Sequence, residues 1–306
     1  MNYKIKTLIL KMCPRFLFKP VYAVYRGFLV LKYKAFAVLF RKKAKYYCPC
    51  CNTYVRTFTS KDYAKRPNRF NPARYMNTKQ DVLCPVCKAL PRHRILASWC
   101  ETQLPMLRTS KILYFAPEYS MTRWLKKNGV KYTTADLFAD ADLKLDIQDT
   151  KLPDESYDVV VCNHVLEHVD DFRKALREIY SILRKGGKLI CSFPMDPKVE
   201  LLDEDPSVDT EAGRLARFGQ NDHKRVFGMK ADQFLQEAGF KVTPICGEDY
   251  PEEILPVAGP ADYDMNRLFV CEKERVGISS IELCGATKSD ESFLGELNNS
   301  PNDFPL

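Results

Sequence analysis

The chain has 306 residues, 45% of them apolar, which is enough for one full-sized hydrophobic core and a small additional module. Its formal net charge of +8 is unevenly distributed: 14 of the 47 Lys and Arg precede the first acidic residue, Asp62, and the rest holds 33 basic against 39 acidic side chains. This asymmetry excludes a uniformly basic protein and indicates a basic, partner-binding arm on a mildly acidic body.

Residues 1–45 form the basic amphipathic N-terminal arm, in which aromatic side chains such as Phe16, Tyr22, Phe28 and Phe36 are interspersed with Lys and Arg. The pattern favours peripheral contact with an anionic membrane at its inner face. A nucleic-acid-binding arm and a packing segment with solvated charges stay as alternatives, because charge pattern does not separate the three.

The start of the chain does not resemble a secretory signal, because Lys11, Arg15 and Lys19 interrupt its apolar run. No uncharged apolar stretch approaches the roughly 20 residues of a membrane-spanning helix. We therefore expect a cytoplasmic protein. In that reducing compartment the paired members of its 12 cysteines are expected to bind metal rather than form disulfides.

Residues 46–104 contain two matched cysteine turns. Cys48-Pro-Cys-Cys51 is followed about thirty residues later by Cys84-Pro-Val-Cys87. Two such turns supply the four thiolates of a closed, tetrahedral structural Zn²⁺ site. We predict a small zinc-ribbon-like module with Cys48, Cys51, Cys84 and Cys87 as ligands and Cys50 as a spare thiol.

Arg92, His93 and Arg94 directly follow the second cysteine turn. Guanidinium groups bind planar anions well, so this triplet could hold a substrate phosphate or a membrane headgroup. It could equally pair with acidic side chains of the following domain, and the sequence favours neither role.

Residues 105–275 alternate strand and helix patterns, which is typical of parallel strands joined by crossover helices. The predicted strands are 111–116, 132–135, 143–147, 157–162, 188–193, 240–245 and 267–272. The fold class predicted is α/β, with a doubly wound, Rossmann-like sheet of seven strands.

The helices between these strands are predicted from apolar stripes and capping residues. One carries Trp124 and stops at Gly129, one begins at Asp170 or Asp171 and ends at Gly186-Gly187, and one ends at Gly239. Residues 197–228 are predicted to form a long polar insertion, and residues 276–306 a flexible tail.

Polar residues follow the first four predicted strands, at the sheet edge where ligands bind in this fold. Asp136 stands about 20 residues beyond the first loop, where an acid accepts hydrogen bonds from a ribose, and Asp146 and Ile147 are placed to bind an adenine. No Gly-x-Gly-x-x-Gly opens the first helix, so a hydride-transfer cofactor is disfavoured. The sequence predicts a nucleoside pocket.

The segment from Leu152-Pro-Asp-Glu-Ser-Tyr-Asp158 through Asn163-His-Val-Leu-Glu167-His168 resembles the strand-four signature of class I methyltransferases of the type 11 group. Leu183-Arg-Lys-Gly-Gly-Lys-Leu-Ile190 is similar to their turn into strand five, and the similarity covers about residues 108–273. The resemblance implies S-adenosyl-L-methionine as cofactor.

More narrowly, the chain resembles a bacterial subgroup that carries a Cys-Pro-x-Cys module before Arg92-His-Arg94, then Phe115-Ala-Pro-Glu118, Asp205-Pro-Ser and Phe218-Gly-Gln-Asn-Asp-His223. These proteins look like methyltransferases encoded among surface-glycan genes. The resemblance therefore implies an acceptor of saccharide type, a glycan or lipid-linked glycan methylated on a hydroxyl.

The cofactor-binding residues expected from strand ends and resemblance are Phe115, Ala116, Glu118, Asp136, Leu137, Asp146, Ile147, Asn163 and His164. The chain departs from the family where a Gly-x-Gly loop usually follows strand one, since it has Phe-Ala-Pro-Glu-Tyr-Ser. Close backbone approach is harder with a Cβ atom and a proline. We expect binding to persist, with Glu118 contacting the cofactor's amino group.

Methyl transfer to a hydroxyl needs alignment and a base. The candidate base is His223 in the insertion, with Asp222 beside it and Asp196 after the fifth strand. His164 and His168 flank Glu167, and we expect capping and packing roles there rather than a metal site.

Two other functions stay open from sequence alone. An RNA-directed methyltransferase could use the arm and the cysteine module to hold phosphates, although no Asn-Pro-Pro-Tyr-type motif is present. A non-enzymatic binding protein with a degenerate cofactor loop would explain the missing glycines.

Overall fold

The computed structural model describes residues 45–62, 79–254 and 267–274, together with seven single positions between residues 20 and 35. The thirteen strands are β1 Tyr46–Cys48, β2 Thr53–Val55, β3 Thr59–Asp62, β4 Lys79–Leu83, β5 Ile112–Phe115, β6 Thr133–Asp136, β7 Leu143–Lys144, β8 Tyr157–Asn163, β9 Leu183–Ser192, β10 Leu202–Glu204, β11 Arg225–Phe227, β12 Phe240–Ile245 and β13 Leu268–Lys273. The α-helices in this part of the chain are α1 Pro91–Thr102, α2 Leu104–Thr109, α3 Tyr119–Lys127, α4 Phe172–Ile182, α5 Glu211–Phe218 and α6 Asp232–Glu237, with a 3-10 turn at Gly247–Asp249.

A seven-stranded sheet in the order β12-β13-β9-β8-β5-β6-β7 forms the centre of the compact unit that ends at Lys273. The five neighbouring strands β9, β8, β5, β6 and β7 pair in parallel. Strand β13 runs antiparallel to both β9 and β12. The sequence prediction of an α/β fold with seven strands is confirmed, and the sheet is mixed because its last strand enters from the opposite end.

Both faces of the sheet are covered, as the β-branched composition of β8 predicts. Val159 and Val161 belong to one apolar core, which contains Trp124 of α3, and Val160 and Cys162 belong to the other, which contains α4. The alternation follows from the two-residue period of a strand. This sandwich of helix, sheet and helix holds the strand ends in fixed positions.

The helix caps follow the residue types that the sequence supplies. Asp171 begins α4, since its side chain accepts a hydrogen bond from the amide of Lys174 at 2.8 Å. Gly129 and Gly239 follow α3 and α6 with φ angles of +71° and +95°, a region that favours glycine.

Two predicted boundaries were wrong. Helix α4 ends at Ile182, and Gly186-Gly187 lie inside β9, because Leu183 already pairs with Tyr157 before a register shift that accommodates the glycines. Strand β7 stops at Lys144 rather than at Ile147, because the Asp146 carboxylate accepts the amide of Gln148 at 2.8 Å and turns the chain.

The polar insertion predicted at 197–228 has regular secondary structure of its own. It contains β10, α5 and β11, and β10 pairs with β11 in an antiparallel ladder. Its anchor is Arg225, which is 1% exposed and donates hydrogen bonds to the carbonyls of Leu166, Val169 and Asp170. The insertion is thereby attached to the loop that follows β8.

The cysteine module packs directly on the sheet. Its β1–β2 and β3–β4 hairpins lead into α1, and one apolar core runs from Cys48 and Val55 through Ile95 to Ile112 and Ile190. Helix α2 crosses the boundary expected between residues 104 and 105. The division into the domains 46–104 and 105–275 stays a prediction.

Most of the predicted arm at 1–45 and all of the tail at 276–306 lie outside the described residues. The seven described positions of the arm have helical conformation, and Val24, Phe28 and Leu31 among them are exposed. No helix in the described ranges is long and apolar enough to cross a membrane.

Candidate functional site

The carboxyl ends of β5, β6 and β8 lie in one row. Phe115 pairs with Ala135 on one side and Cys162 on the other, so the next residues of the three strands, Ala116, Asp136 and Asn163, are neighbours at the edge. The sheet therefore brings together the first-loop, second-strand and fourth-strand residues that the sequence predicts for a nucleoside pocket.

The loop after β5 adopts a conformation that favours glycine although it contains none. Ala116 has a φ of +45°, and its amide donates a hydrogen bond to the carbonyl of Ala135 at 2.9 Å. A left-handed L-residue costs roughly 1–2 kcal/mol. The backbone thus bends as a glycine loop would, and the surrounding contacts stabilise the strained alanine.

Glu118 ends this loop and is held by the helix that follows the cysteine turns. Its Oε1 accepts hydrogen bonds from Arg92 at 2.7 Å and from His93 Nε2 at 2.6 Å. His93 Nδ1 accepts the amide of Leu90 at 3.0 Å, which places the ring proton on Nε2. The Arg92 and His93 side chains therefore pair with an acid of the sheet domain, one of the two roles that the sequence left open.

We call the contacts of Arg92 and His93 with Glu118 the Glu118 clamp. Its unusual feature is the second oxygen of Glu118. Burial alone would raise the pKa of Glu118, but the Arg92 and His93 side chains outweigh it and hold that pKa well below its ordinary value. Oε2 is buried and has no hydrogen-bond partner in the described part of the chain. An ionised oxygen in such a position requires a donor.

The two acids expected to contact the nucleoside each shape their own loop. Asp136 Oδ1 accepts the amides of Phe138 and Ala139 at 2.7 and 2.6 Å, and Asp146 Oδ1 accepts the amide of Gln148. Beside them, Ile147 is buried and Leu137 is 41% exposed. The end of β6 and the loop after β7 therefore each combine an acidic residue with an apolar one.

The end of β8 is tied to β9. The buried Asn163 accepts a hydrogen bond from the Ser192 hydroxyl at 3.0 Å, and the amide of His164 donates to the Ser192 carbonyl at 2.7 Å. His164 has a φ of +53°, so the chain reverses sharply here. Its Nδ1 lies 3.3 Å from Oε1 of Glu167.

Glu167, His168 and His223 form a cluster next to this reversal, which we call the histidine–glutamate cluster. One potential ligand atom from each lies within 4.8 Å of those of the others, and the rings of His168 and His223 are 4.9 Å apart, edge to face. His168 Nδ1 donates to the carbonyl of Asp222 at 3.1 Å. The insertion thus brings its predicted base to the β8 loop.

Two members of the cluster are buried. Burial lowers the pKa of His223 to about 4, so its imidazole is neutral at physiological pH. Burial alone would raise the pKa of Glu167, but His164 and the other imidazoles outweigh it and the pKa falls to about 2. The cluster therefore combines neutral imidazole with an ionised, fully buried carboxylate.

The predicted partners of His223 occupy different positions. Asp222 touches the cluster through its backbone carbonyl, and its Oδ2 lies 3.9 Å from His168 Nδ1. Asp196 follows β9 and uses its Oδ1 to accept the amide of Lys198 at 2.9 Å. Glu167, by contrast, is a residue for which the sequence indicated capping and packing roles, and the structure places it beside His223.

The four predicted zinc ligands converge. Cys48 and Cys87 have their sulfurs 3.6 Å apart, and Cys51 and Cys84 have theirs 3.7 Å apart. Thiolates about 2.3 Å from a tetrahedral ion lie about 3.8 Å from one another. The spare thiol, Cys50, donates instead to the carbonyl of His93 at 3.2 Å.

Arg94 supplies positive charge close to these sulfurs. It is fully buried, lies over the Phe58 ring, and donates hydrogen bonds to the carbonyls of Ile254, Val82 and Ala89. Burial lowers its pKa, whereas the cysteines act to raise it. A positive charge therefore lies beside the four sulfurs within the module.

Comparison with known proteins shows that part of the chain is similar to methyltransferases. Residues 118–191 match the family model described as a methyltransferase domain. That segment begins at the clamped glutamate and ends in β9, so it includes the ends of β6, β7 and β8.

Two curated relatives are similar over the same region. An uncharacterized methyltransferase, YcgJ, of Bacillus subtilis (strain 168) is 28% identical over 105 residues, which are 34% of this chain and 38% of the relative. A demethylmenaquinone methyltransferase of Listeria monocytogenes serotype 4a (strain HCC23) is 33% identical over 75 residues, 24% of this chain and 32% of the relative. The chain therefore spans about a third of the length of these relatives.

Solved structures with a similar fold include a 1,6-didemethyltoxoflavin-N1-methyltransferase of Burkholderia thailandensis, with 15% identity and a TM-score of 0.42 over 60% of this chain and 79% of that one. The YcgJ protein of Bacillus subtilis has 15% identity and a TM-score of 0.37 over 57% of this chain and 99% of that one.

Proposed function

We propose that the protein is an S-adenosylmethionine-dependent methyltransferase. The observation that carries the proposal is the row of Ala116, Asp136 and Asn163 at the carboxyl edge of β5, β6 and β8, within and beside the segment that matches a methyltransferase domain. In a doubly wound sheet this edge is the position at which a nucleoside ligand binds.

The residues at this edge fit the cofactor. Asp136 would accept the ribose hydroxyls, and Asp146 and Ile147 would contact the adenine, while Phe115, Leu137 and Asn163 complete the wall. Glu118 Oε2, buried and without a partner among the described atoms, is the acceptor that an ammonium group needs.

The clamp on Glu118 gives the cysteine module a role in this function. We propose that Cys48, Cys51, Cys84 and Cys87 hold a structural Zn²⁺, because four sulfurs at these spacings match a tetrahedral thiolate site. The ion would fix the start of α1, and α1 in turn presents Arg92 and His93 to Glu118. The module then orders a cofactor loop that lacks glycines.

S-adenosylmethionine supplies a methyl group that its sulfonium sulfur already activates. The main task of the protein in methyl transfer is therefore to align the acceptor atom with that methyl group. For a hydroxyl acceptor, the chain must also remove a proton. We propose that the neutral imidazole of His223 accepts it, with Glu167 stabilising the imidazolium and Asp222 and Asp196 in supporting positions.

The acceptor proposed is a hydroxyl of a glycan or lipid-linked glycan, and the support for it is the similarity of the Cys-Pro-x-Cys and Asp205-Pro-Ser segments to methyltransferases of surface-glycan genes. The exposed Val24, Phe28 and Leu31 of the basic arm support contact with the membrane on which lipid-linked acceptors are carried.

The test is calorimetry of the full chain with S-adenosylmethionine and S-adenosylhomocysteine. We expect one binding site and competition between the two ligands, and absence of heat with both contradicts the enzymatic function. Transfer of radiolabelled methyl to saccharide acceptors, compared with RNA, then decides the acceptor class.

A further inference from the structure

We infer that the histidine–glutamate cluster is a second metal site, in which Glu167, His168 and His223 bind a divalent transition ion of the Zn²⁺ type. The sequence indicated capping and packing for the first two residues. The structure adds a third ligand from the insertion, 55 positions after His168, and places one ligand atom of each residue within 4.8 Å of the others.

The first observation is a buried carboxylate whose two oxygens have no hydrogen-bond partner among the described residues. Glu167 is 0% exposed, and neither of its oxygens has a hydrogen bond of good geometry within the described ranges. Its shortest approach is 3.3 Å, from His164 Nδ1. A buried carboxylate left in this state is strongly destabilising, so the site calls for a cation.

The guanidinium that binds the carbonyl of the preceding residue, Leu166, is already paired elsewhere. Arg225 forms an ion pair with Glu204 at 2.5 Å, and its remaining nitrogens donate to the carbonyls of Leu166, Val169 and Asp170. Among the described residues, the ion pairs of Glu167 are with histidines alone.

The second observation is the orientation of His168. Its Nδ1 donates to the Asp222 carbonyl at 3.1 Å, and Nε2 lies 3.8 Å from Glu167 Oε1. The second ring nitrogen is therefore turned toward the buried carboxylate. Ligating histidines donate their other ring nitrogen to a backbone carbonyl in this way, which fixes the orientation of the ring for the ion.

The spacing is compatible with an ion after small side-chain rotations. Nitrogen and oxygen ligands about 2.1 Å from a tetrahedral ion lie about 3.4 Å apart. The 3.8 Å between Oε1 and Nε2 is close to this value. The side-chain amide of Gln220 lies against Nε2 of His223. When the amide oxygen accepts the Nε2 proton, the lone pair of Nδ1 is left for the ion.

The donor set defines the class of ion and its use. Two imidazoles and one carboxylate suit Zn²⁺ and similar divalent transition ions rather than Mg²⁺ or Ca²⁺. Three protein ligands leave a fourth position open, and the His168 side chain is 35% exposed. If the proposed methyl transfer holds, the ion would lower the pKa of an acceptor hydroxyl, and His223 would act as ligand instead of base.

The test is the metal content of the full chain, measured without cofactor or acceptor. The reduced protein is saturated with Zn²⁺, gel-filtered and analysed for zinc per chain. We expect two equivalents in the wild type and one in Glu167→Gln, His168→Asn and His223→Asn. His93→Gln, which changes the one histidine outside the β8 loop and the insertion, should keep two.

A Co²⁺-substituted sample separates the two sites, because only the cysteine site gives thiolate charge-transfer absorption. Cys84→Ser should lose that absorption and retain one equivalent, whereas Glu167→Gln should keep it. One equivalent in the wild type, or two in Glu167→Gln, overturns the second site. Both results are independent of S-adenosylhomocysteine binding, so failure here is distinct from failure of the proposed function.

Discussion

Glu118 is the residue at which the cysteine module and the cofactor edge of the sheet meet. One oxygen is occupied by Arg92 and His93, and the other is buried and has no hydrogen-bond partner among the described residues. We expect Glu118→Gln to weaken S-adenosylhomocysteine binding roughly 10- to 100-fold, because a hydrogen bond from a charged donor contributes about 1.5–3 kcal/mol. Calorimetry measures the change. Glu237→Gln, an exposed change of the same kind on α6, should leave the affinity unaltered.

The lowered pKa of Glu118 also predicts how stability depends on pH. The folded state binds this proton less tightly than the unfolded state, so the contribution of Glu118 is complete above its ordinary pKa of 4.5 and is lost as the pH falls below that value. The slope from one such group is at most about 1.4 kcal/mol per pH unit. Urea unfolding between neutral pH and the acid range should show a shallower decline in Glu118→Gln. Equal slopes in the two proteins would mean that the clamp is not ionic.

Ala116 is the residue at which the chain departs from a glycine loop, and its φ of +45° predicts the effect of restoring glycine. We expect Ala116→Gly to raise the free energy of unfolding by up to about 1 kcal/mol, because relief of left-handed strain exceeds the added entropy of the unfolded chain. Urea denaturation measures this. Ala135→Gly, in a buried and extended strand position, should lower stability instead. If both variants are destabilised, Ala116 is not strained.

Helix α1 is the element that connects the proposed zinc site with the cofactor loop. It starts four residues after Cys87 and carries Arg92 and His93 in its first turn. Its position depends on the cysteine turns, since the cap at Leu90 has no side-chain hydrogen bond to the helix end in the ordinary Ser or Asp manner. An element without a strong cap of its own relies on tertiary contacts.

This dependence predicts that loss of zinc weakens cofactor binding at a distance. We expect Cys84→Ser to lose the thiolate-bound ion and to lower S-adenosylhomocysteine affinity by an amount similar to that of Glu118→Gln. Elemental analysis and calorimetry on the same sample check both halves. Cys50→Ser is the matched control, since Cys50 contacts the His93 carbonyl rather than the sulfur cluster, and it should retain the ion. Undiminished affinity in a Cys84→Ser protein that has lost the thiolate-bound ion would contradict the coupling.

The insertion at 197–228 also positions a residue of the candidate site. Arg225 ties β11 to the loop after β8, and the same segment carries His223 to the side of His168. The two attachments explain why the polar residues of 197–228 fold onto the sheet instead of forming a loose loop. The position of His223, whether it acts as a base or as a metal ligand, therefore depends on the contact of the insertion with the β8 loop.

At the scale of the whole molecule, charge separates a basic N-terminal arm from an acidic body. We expect removal of residues 1–45 to abolish co-sedimentation with vesicles that contain phosphatidylglycerol, because the arm carries most of the 14 basic side chains that precede Asp62. Vesicles of phosphatidylcholine alone serve as the control and should bind neither protein. Unchanged sedimentation of the shortened chain, or retention of RNA on filters in its place, would assign the arm another partner.

The alternation of strand and helix patterns was sufficient to predict the sheet, its seven strands and the polar residues at their ends. Periodicity and capping are local properties, so Asp171 and Gly129 could be placed without knowledge of their neighbours. The boundary at Gly186-Gly187 was missed because strand pairing with Tyr157, a contact between distant residues, starts β9 early.

The sequence by itself determined the fold class and the four cysteines that converge, since both depend on spacing along the chain and on side-chain type. Only the tertiary structure decided that Glu118 is paired through Arg92 and His93, that Ala116 is strained, and that His223 joins Glu167 and His168. Those contacts join residues between 25 and 56 positions apart in the chain, and folding of the whole core, rather than any local pattern, fixes the distances between them.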